Sequence, residues 1–258
     1  MPLASFSIKA KSFFIIALLM ATGIIFFGTL AYKDHLEIAS FLEVSPLELR
    51  IECKGQRYEV TQNNTLKFCL RKDDNAKRCE IAIHNLEHAP QTNHIDFSFR
   101  LNGDLINPDQ FFGILQIHAL PDKDEAWRCP NFTYDIIDGY MSVYNRWDAL
   151  PLSKTVNGTC INKENSIKGR SLLPEAQKMT ADQWHNIRLQ TALSHQEDGQ
   201  TTLDFNGLEP QNHDGANIYN DKRMPYLKLG VYKPTPWTHE QEEICVEYKD
   251  VELSSRQP

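Results

Sequence analysis

Tyr226-Leu227-Lys228-Leu229-Gly230-Val231-Tyr232 alternates along its whole length. Successive side chains of an extended strand point to opposite faces. Leu227, Leu229 and Val231 therefore share one side, and Tyr226, Lys228, Gly230 and Tyr232 share the other. Two other stretches split in the same way. Residues 78–84 set Cys79, Ile81 and Ile83 against Arg78, Glu80 and His84. Residues 111–118 set Phe111, Leu115 and Ile117 against Gln116 and His118. Any half-exposed antiparallel strand alternates by default, so the signal lies in the combination: three apolar backs, and three fronts carrying Arg, Gln, His, Lys and Tyr.

Outward from these, residues 49–53, 65–71, 95–101, 140–144, 184–190, 201–206 and 244–248 read as further short strands. Asn102-Gly103, Asp138-Gly139, Asp198-Gly199 and Asn206-Gly207 punctuate them. Many short strands with regular turn signals predict an all-β sandwich of two antiparallel sheets, a jelly roll. Trp184 is expected in the core. The polar stretch 149–171 is expected to form a long loop, of the kind that often rims a site.

The chain has 258 residues. Residues 13–32, FFIIALLMATGIIFFGTLAY, carry no charge, and as a helix they would span roughly 30 Å, a bilayer core. Lys9 and Lys11 precede them, so residues 1–12 are expected in the cytoplasm and the body outside, either membrane-anchored or secreted. The run is longer than the core of a signal peptide, which favours a retained anchor, but Thr29-Leu30-Ala31 offers small residues for cleavage. Residues 33–47 read as a connector and 48–258 as one domain. Net charge is −7, which excludes general nucleic-acid binding and requires any polyanion site to concentrate its cations locally. Six cysteines, all beyond the apolar segment, are compatible with three disulfides of open pairing. They show no thiolate metal spacing. Sequons stand at Asn63, Asn131 and Asn157.

Gln116-Ile117-His118 resembles the QIH motif of jelly-roll alginate lyases. Residues 226–232 resemble their YFKAGxY motif, and Arg78-Cys79-Glu80-Ile81 resembles their R(S/T)E(L/I) strand, in the family's order. The likeness extends over roughly residues 48–253 and is similar to the wider polysaccharide lyase group that includes heparin and glucuronan lyases. Ala82 stands where the alginate motif has a second Arg, and Pro234 where it has Gln. Both departures weaken alginate as the specific substrate.

The resemblance implies a concanavalin-like jelly roll, a monomer, an acidic polysaccharide as partner, and β-elimination without a cofactor; it leaves calcium open. It implies Arg78 and Gln116, assisted by His118, as neutralisers of a uronate carboxylate. Tyr232 would be the acid, and either Tyr232 or His118 the base. Glu80, His84, Tyr144, Arg146, Tyr226 and Lys228 would contact or orient the sugar. Two other functions fit the same scaffold: a non-catalytic glycan-binding module, and a glycoside hydrolase, which needs two flanking carboxylates.

Overall fold

A computed structural model describes residues 33–55, 57–84, 92–102, 111–156, 160, 162–237 and 242–256. Fifteen strands lie among them: β1 (Leu49–Cys53), β2 (Tyr58–Val60), β3 (Leu66–Arg71), β4 (Arg78–Ile83), β5 (Thr92–Leu101), β6 (Phe111–His118), β7 (Phe132–Ile137), β8 (Tyr140–Trp147), β9 (Lys168–Ser171), β10 (Gln177–Lys178), β11 (Trp184–Ala192), β12 (Gln200–Phe205), β13 (Gln211–Asp214), β14 (Tyr226–Tyr232) and β15 (Glu243–Arg256). They form two antiparallel sheets. The first runs β1-β4-β14-β6-β7-β8-β10, with β9 also on β8; the second runs β13-β12-β11-β5-β15-β3-β2.

The alternating residues explain the packing. Ile81, Ile83, Leu115, Ile117, Leu227, Leu229 and Val231 cover the inner face of the first sheet and are essentially inaccessible. They meet Phe68, Phe97, Phe99 and Tyr248 of the second. Each such side chain contributes roughly 1.5–3 kcal/mol by leaving water. Asp138 and Gly139, both at positive φ, close the two-residue hairpin between Ile137 and Tyr140. That turn needs the left-handed backbone at both positions.

Three disulfides staple the sandwich. Cys53–Cys79 joins β1 to β4, Cys69–Cys245 joins β3 to β15, and Cys129–Cys160 ties together two loops. Residues 33–41 are helical, and Ile38 and Leu42 lie in the core, so the segment read as a connector packs on the body. The expected membrane segment at 13–32 and the N-terminal 1–12 lie outside the described residues. Among the described residues, no helix is long and apolar enough to cross a membrane.

Several expectations need correction. Trp184 is not core: the β11 register turns His185, Ile187 and Leu189 inward, and Trp184 lies on the outer face between the cations of Arg100 and Lys249, 4.9 and 4.6 Å from its ring. The stretch 149–171 ends in a strand, β9. Asn131, part of a sequon, is 1% exposed and donates to the Arg146 carbonyl, which removes it as a modification site.

Candidate active site

β14 runs between β4 and β6. The register sets Tyr232 opposite Arg78, Gly230 opposite Glu80, and Lys228 opposite both Ala82 and Gln116; Tyr226 faces His118. The three polar fronts therefore merge into one surface. β7 and β8 extend it, with Thr133 paired to Gln116 and to Tyr144. Arg78, Gln116, His118 and Tyr232 all line one cleft of about 390 Å³, together with Trp127, Thr133, Asp135 and Arg146. A larger cavity of about 710 Å³, around Trp147, Lys168 and His195, holds none of these four.

Beneath the cleft floor lies a compact ionic layer. Lys228, 2% exposed, donates to Glu52 Oε2 at 2.6 Å and stands 3.6 Å from Glu80 Oε2. Arg78 Nη1 contacts the same two oxygens, at 3.1 and 3.6 Å. Two cations thus share two acids. Burial raises the Glu52 pKa, but Lys228 and Arg78 outweigh it and hold the group below its usual value. Glu80 is sealed, and burial lifts its pKa to about 7 against the pull of the same cations. Its Oε1 accepts from Gln116 Nε2 at 2.9 Å. A carboxylate oxygen accepts here, so the Gln116 amide is fixed with its donor end toward Glu80 and one further N–H to spare.

Arg78 uses only Nη1 in these contacts and lies 4.9 Å over the Tyr232 ring. Its side chain is 40% exposed, so the rest of the guanidinium faces the cleft. His118 Nδ1 lies 3.0 Å from the Ala119 carbonyl. A carbonyl only accepts, so Nδ1 carries the hydrogen and Nε2 keeps its lone pair. Burial, aided by Lys228 and Arg78, lowers the His118 pKa to about 4. The ring is neutral at neutral pH. Asp135 is pushed up to about 6 by burial.

Of the residues expected to contact sugar, only Arg146 lines this cleft. Glu80 and Lys228 lie below the floor. Tyr226, 6% exposed, is stacked between His84 and His118 at 4.6 and 5.7 Å, and burial pushes its pKa to about 12. His84 serves that stack. Tyr144 rests against Gly169, where an added Cβ would meet its ring at 2.5 Å, and the Arg146 guanidinium covers it at 4.6 Å. These groups shape the cleft without lining it. Glu52, Thr133, Asp135 and Trp127 went unread in the sequence. Glu52 sits in a recognised strand, and its alternation with Arg50 was the available signal. Among the described residues, the one group with metal-ligand proximity, Cys69, Glu243 and Cys245, has its sulfurs committed to a disulfide.

The sandwich thus gathers a guanidinium, an amide, a neutral imidazole and a phenol in one cleft. The chain belongs to the polysaccharide lyase family, whose sequence profile matches residues 51–248, and the protein is a polysaccharide lyase. Similar solved structures include the endo-β-1,4-glucuronan lyase of the fungus Trichoderma reesei, at 16% identity over 80% of this chain and 87% of that one, TM-score 0.58. Others are alginate lyase AlyC3 (15%, 78% and 79%, TM-score 0.54) and alginate lyase PA1167 of Pseudomonas aeruginosa (14%, 78% and 87%, TM-score 0.52). At such identities they share the fold. No curated protein sequence matches the chain.

Proposed function

We propose that this lyase cleaves a uronate-containing acidic polysaccharide by β-elimination, in the cleft where β4, β14 and β6 meet. The observation that carries the reading is the gathering of Arg78, Gln116, His118 and Tyr232 in one cleft, over a floor that fixes the first two.

The reaction removes the proton on C5, beside the carboxylate, and expels the oxygen at C4. The C5 proton is weakly acidic while the carboxylate keeps its full charge. Arg78 and the spare Gln116 N–H lower that barrier by binding the carboxylate as it takes on enolate character. Donors arranged in advance at such a site are worth about 2.7–4 kcal/mol each by analogy with oxyanion holes. Arg suits the role because its fork matches a carboxylate and stays charged. Glu80 holds the amide in place, and Lys228 shares the charge of Glu80 with Arg78.

His118 Nε2 accepts the C5 proton, and the Tyr232 phenol gives its proton to the leaving oxygen. An imidazole with a pKa near 4 is a weak base, but a uronate bound beside it favours the imidazolium and raises that value. General acid–base assistance of this kind adds about 10²–10⁴-fold. The hydrolase reading needs two flanking carboxylates; among the described residues Asp135 is the one acid lining this cleft, and Glu52 and Glu80 are engaged by two cations. We also read the chain as exported: three disulfides favour an oxidising compartment.

The test is a screen of the protein against polyglucuronate, alginate and heparin by ultraviolet absorbance. A lyase generates an unsaturated uronate that absorbs. New reducing ends without absorbance would point to hydrolysis, and binding without either would point to a lectin.

A further inference from the structure

Trp127 is 64% exposed, at the rim of the cleft that holds the four reacting groups. The two residues that follow it are held by several contacts. The Arg128 side chain, 2% exposed, pairs with Glu125 at 3.0 Å and Asp221 at 2.5 Å. It also donates to Ser153 at 2.8 Å and covers the Tyr219 ring at 4.4 Å. Cys129 is bonded to Cys160, and its carbonyl accepts from the Tyr219 hydroxyl at 3.0 Å. A buried ionic cluster and a disulfide thus fix the backbone on one side of an indole that itself stands in water.

The ring meets His118 nearly at right angles, with centroids 5.4 Å apart. No stacked aromatic or cation covers its face among the described residues. A large aromatic offers 150–250 Å² of apolar surface, and leaving that surface wet on an immobilised loop gains nothing for the fold. A rigid aromatic costs little entropy when a ligand docks. The apolar C–H face of a pyranose ring is the ligand chemistry that suits a flat indole. The carboxylates of the same chain go to Arg78 and Arg146 instead.

We propose that Trp127 is the stacking platform for a sugar ring adjacent to the one on which His118 and Tyr232 act. This rests on the lyase reading, and it names a determinant of chain binding. The indole touches His118, so two roles must be separated. A platform contributes to holding the chain and acts mainly on KM. A residue that only positions His118 acts on kcat.

The experiment compares the full-length protein with Trp127→Ala and Trp127→Phe on polyglucuronate and alginate, by initial rates of absorbance. The residue is exposed, so both variants should unfold at the wild-type temperature. Trp127→Ala is expected to raise KM about tenfold, the equivalent of a stacking contact, with kcat close to wild type. Trp127→Phe should recover most of the loss. Unchanged KM in Trp127→Ala overturns the platform while leaving the lyase reading intact. A kcat loss at unchanged KM overturns it in favour of positioning His118. If the wild-type protein cleaves neither polymer nor any other uronate chain, the lyase reading and the platform fall together.

Discussion

The hydroxyl of Tyr248, rooted in β15 of the second sheet, accepts the N–H of Gly230 in the first at 3.2 Å and donates to the Ile114 carbonyl at 2.6 Å. The β14–β6 register shifts between Leu229 and Tyr232, so backbone groups there leave the ladder, and the phenol takes their place. Gly230 has φ +138°, and a Cβ on it would lie 2.3 Å from the Cys79 carbonyl oxygen. A glycine is required. The irregularity carries the chain into Tyr232, so a residue of the opposite sheet helps decide where the Tyr232 phenol stands.

Tyr248→Phe should therefore cost about 1–3 kcal/mol, the penalty of buried groups left unsatisfied, and lower kcat more than it changes KM. Denaturant unfolding and steady-state kinetics check both parts. A stable variant with full kcat would separate Tyr248 from the placement of Tyr232.

Lys228 holds Glu52 and Glu80 together beneath the cleft. Lys228→Met should destabilise the fold by about 3–5 kcal/mol, because a buried acid loses its partner. Combining it with Glu80→Gln should recover part of that loss. Equal stabilities of the single and double variants, read from chemical unfolding, would mean that Glu80 does not depend on this cation.

The depressed His118 pKa sets a pH signature. The ring is neutral above about pH 4, so the His118 contribution to kcat/KM, which reports the free enzyme, is lost only as pH drops through about 4, below the range in which Asp135 and Glu80, at about 6 and 7, take up protons. The linkage has the same direction. Between the unfolded value near 6.5 and the folded value near 4, the unfolded chain binds more protons, so stability falls as pH is lowered through that window. An imidazole titration of His118 near 6.5, followed residue by residue by NMR, would show that burial does not control this imidazole.

Cys129–Cys160 ties the loop that bears Trp127 to residue 160, across 31 residues. Replacing both cysteines with serine should cost about 2–4 kcal/mol and raise KM by loosening the rim. Thermal unfolding and kinetics under non-reducing conditions test it; an unchanged KM would mean that the loop holds its shape without the bridge.

Strand alternation made much of this legible. β1, β6 and β14 stand at the residues the pattern marked, because one face of each is uniformly apolar. β7 escaped, although it carries Thr133 and Asp135 into the cleft. Phe132-Thr133-Tyr134-Asp135 alternates over only four residues before Ile136-Ile137 breaks the pattern, and the strand is buried on both faces over most of its length. The polar fronts of β4, β6 and β14 were read as a surface that meets the sugar, yet Glu80, Gln116 and Lys228 are 2%, 4% and 2% exposed. Alternation tells which face a side chain takes, and what lies over that face depends on neighbours distant in sequence. Glu52 shows this well: it meets Lys228 across 176 positions, and nothing local foretells the pairing.

Elimination from a uronate chain, with Tyr232 donating the proton, leaves a signature in the mass of the fragments. Mass spectrometry of the fragments formed from the cleaved polymer tests it most directly, comparing wild type with Tyr232→Phe. Wild-type fragments should have new non-reducing ends lighter by one water than hydrolysis products, and Tyr232→Phe should fold normally and release about 10²–10⁴-fold fewer of them. Fragments carrying the full mass of water, or undiminished release by Tyr232→Phe, would contradict it.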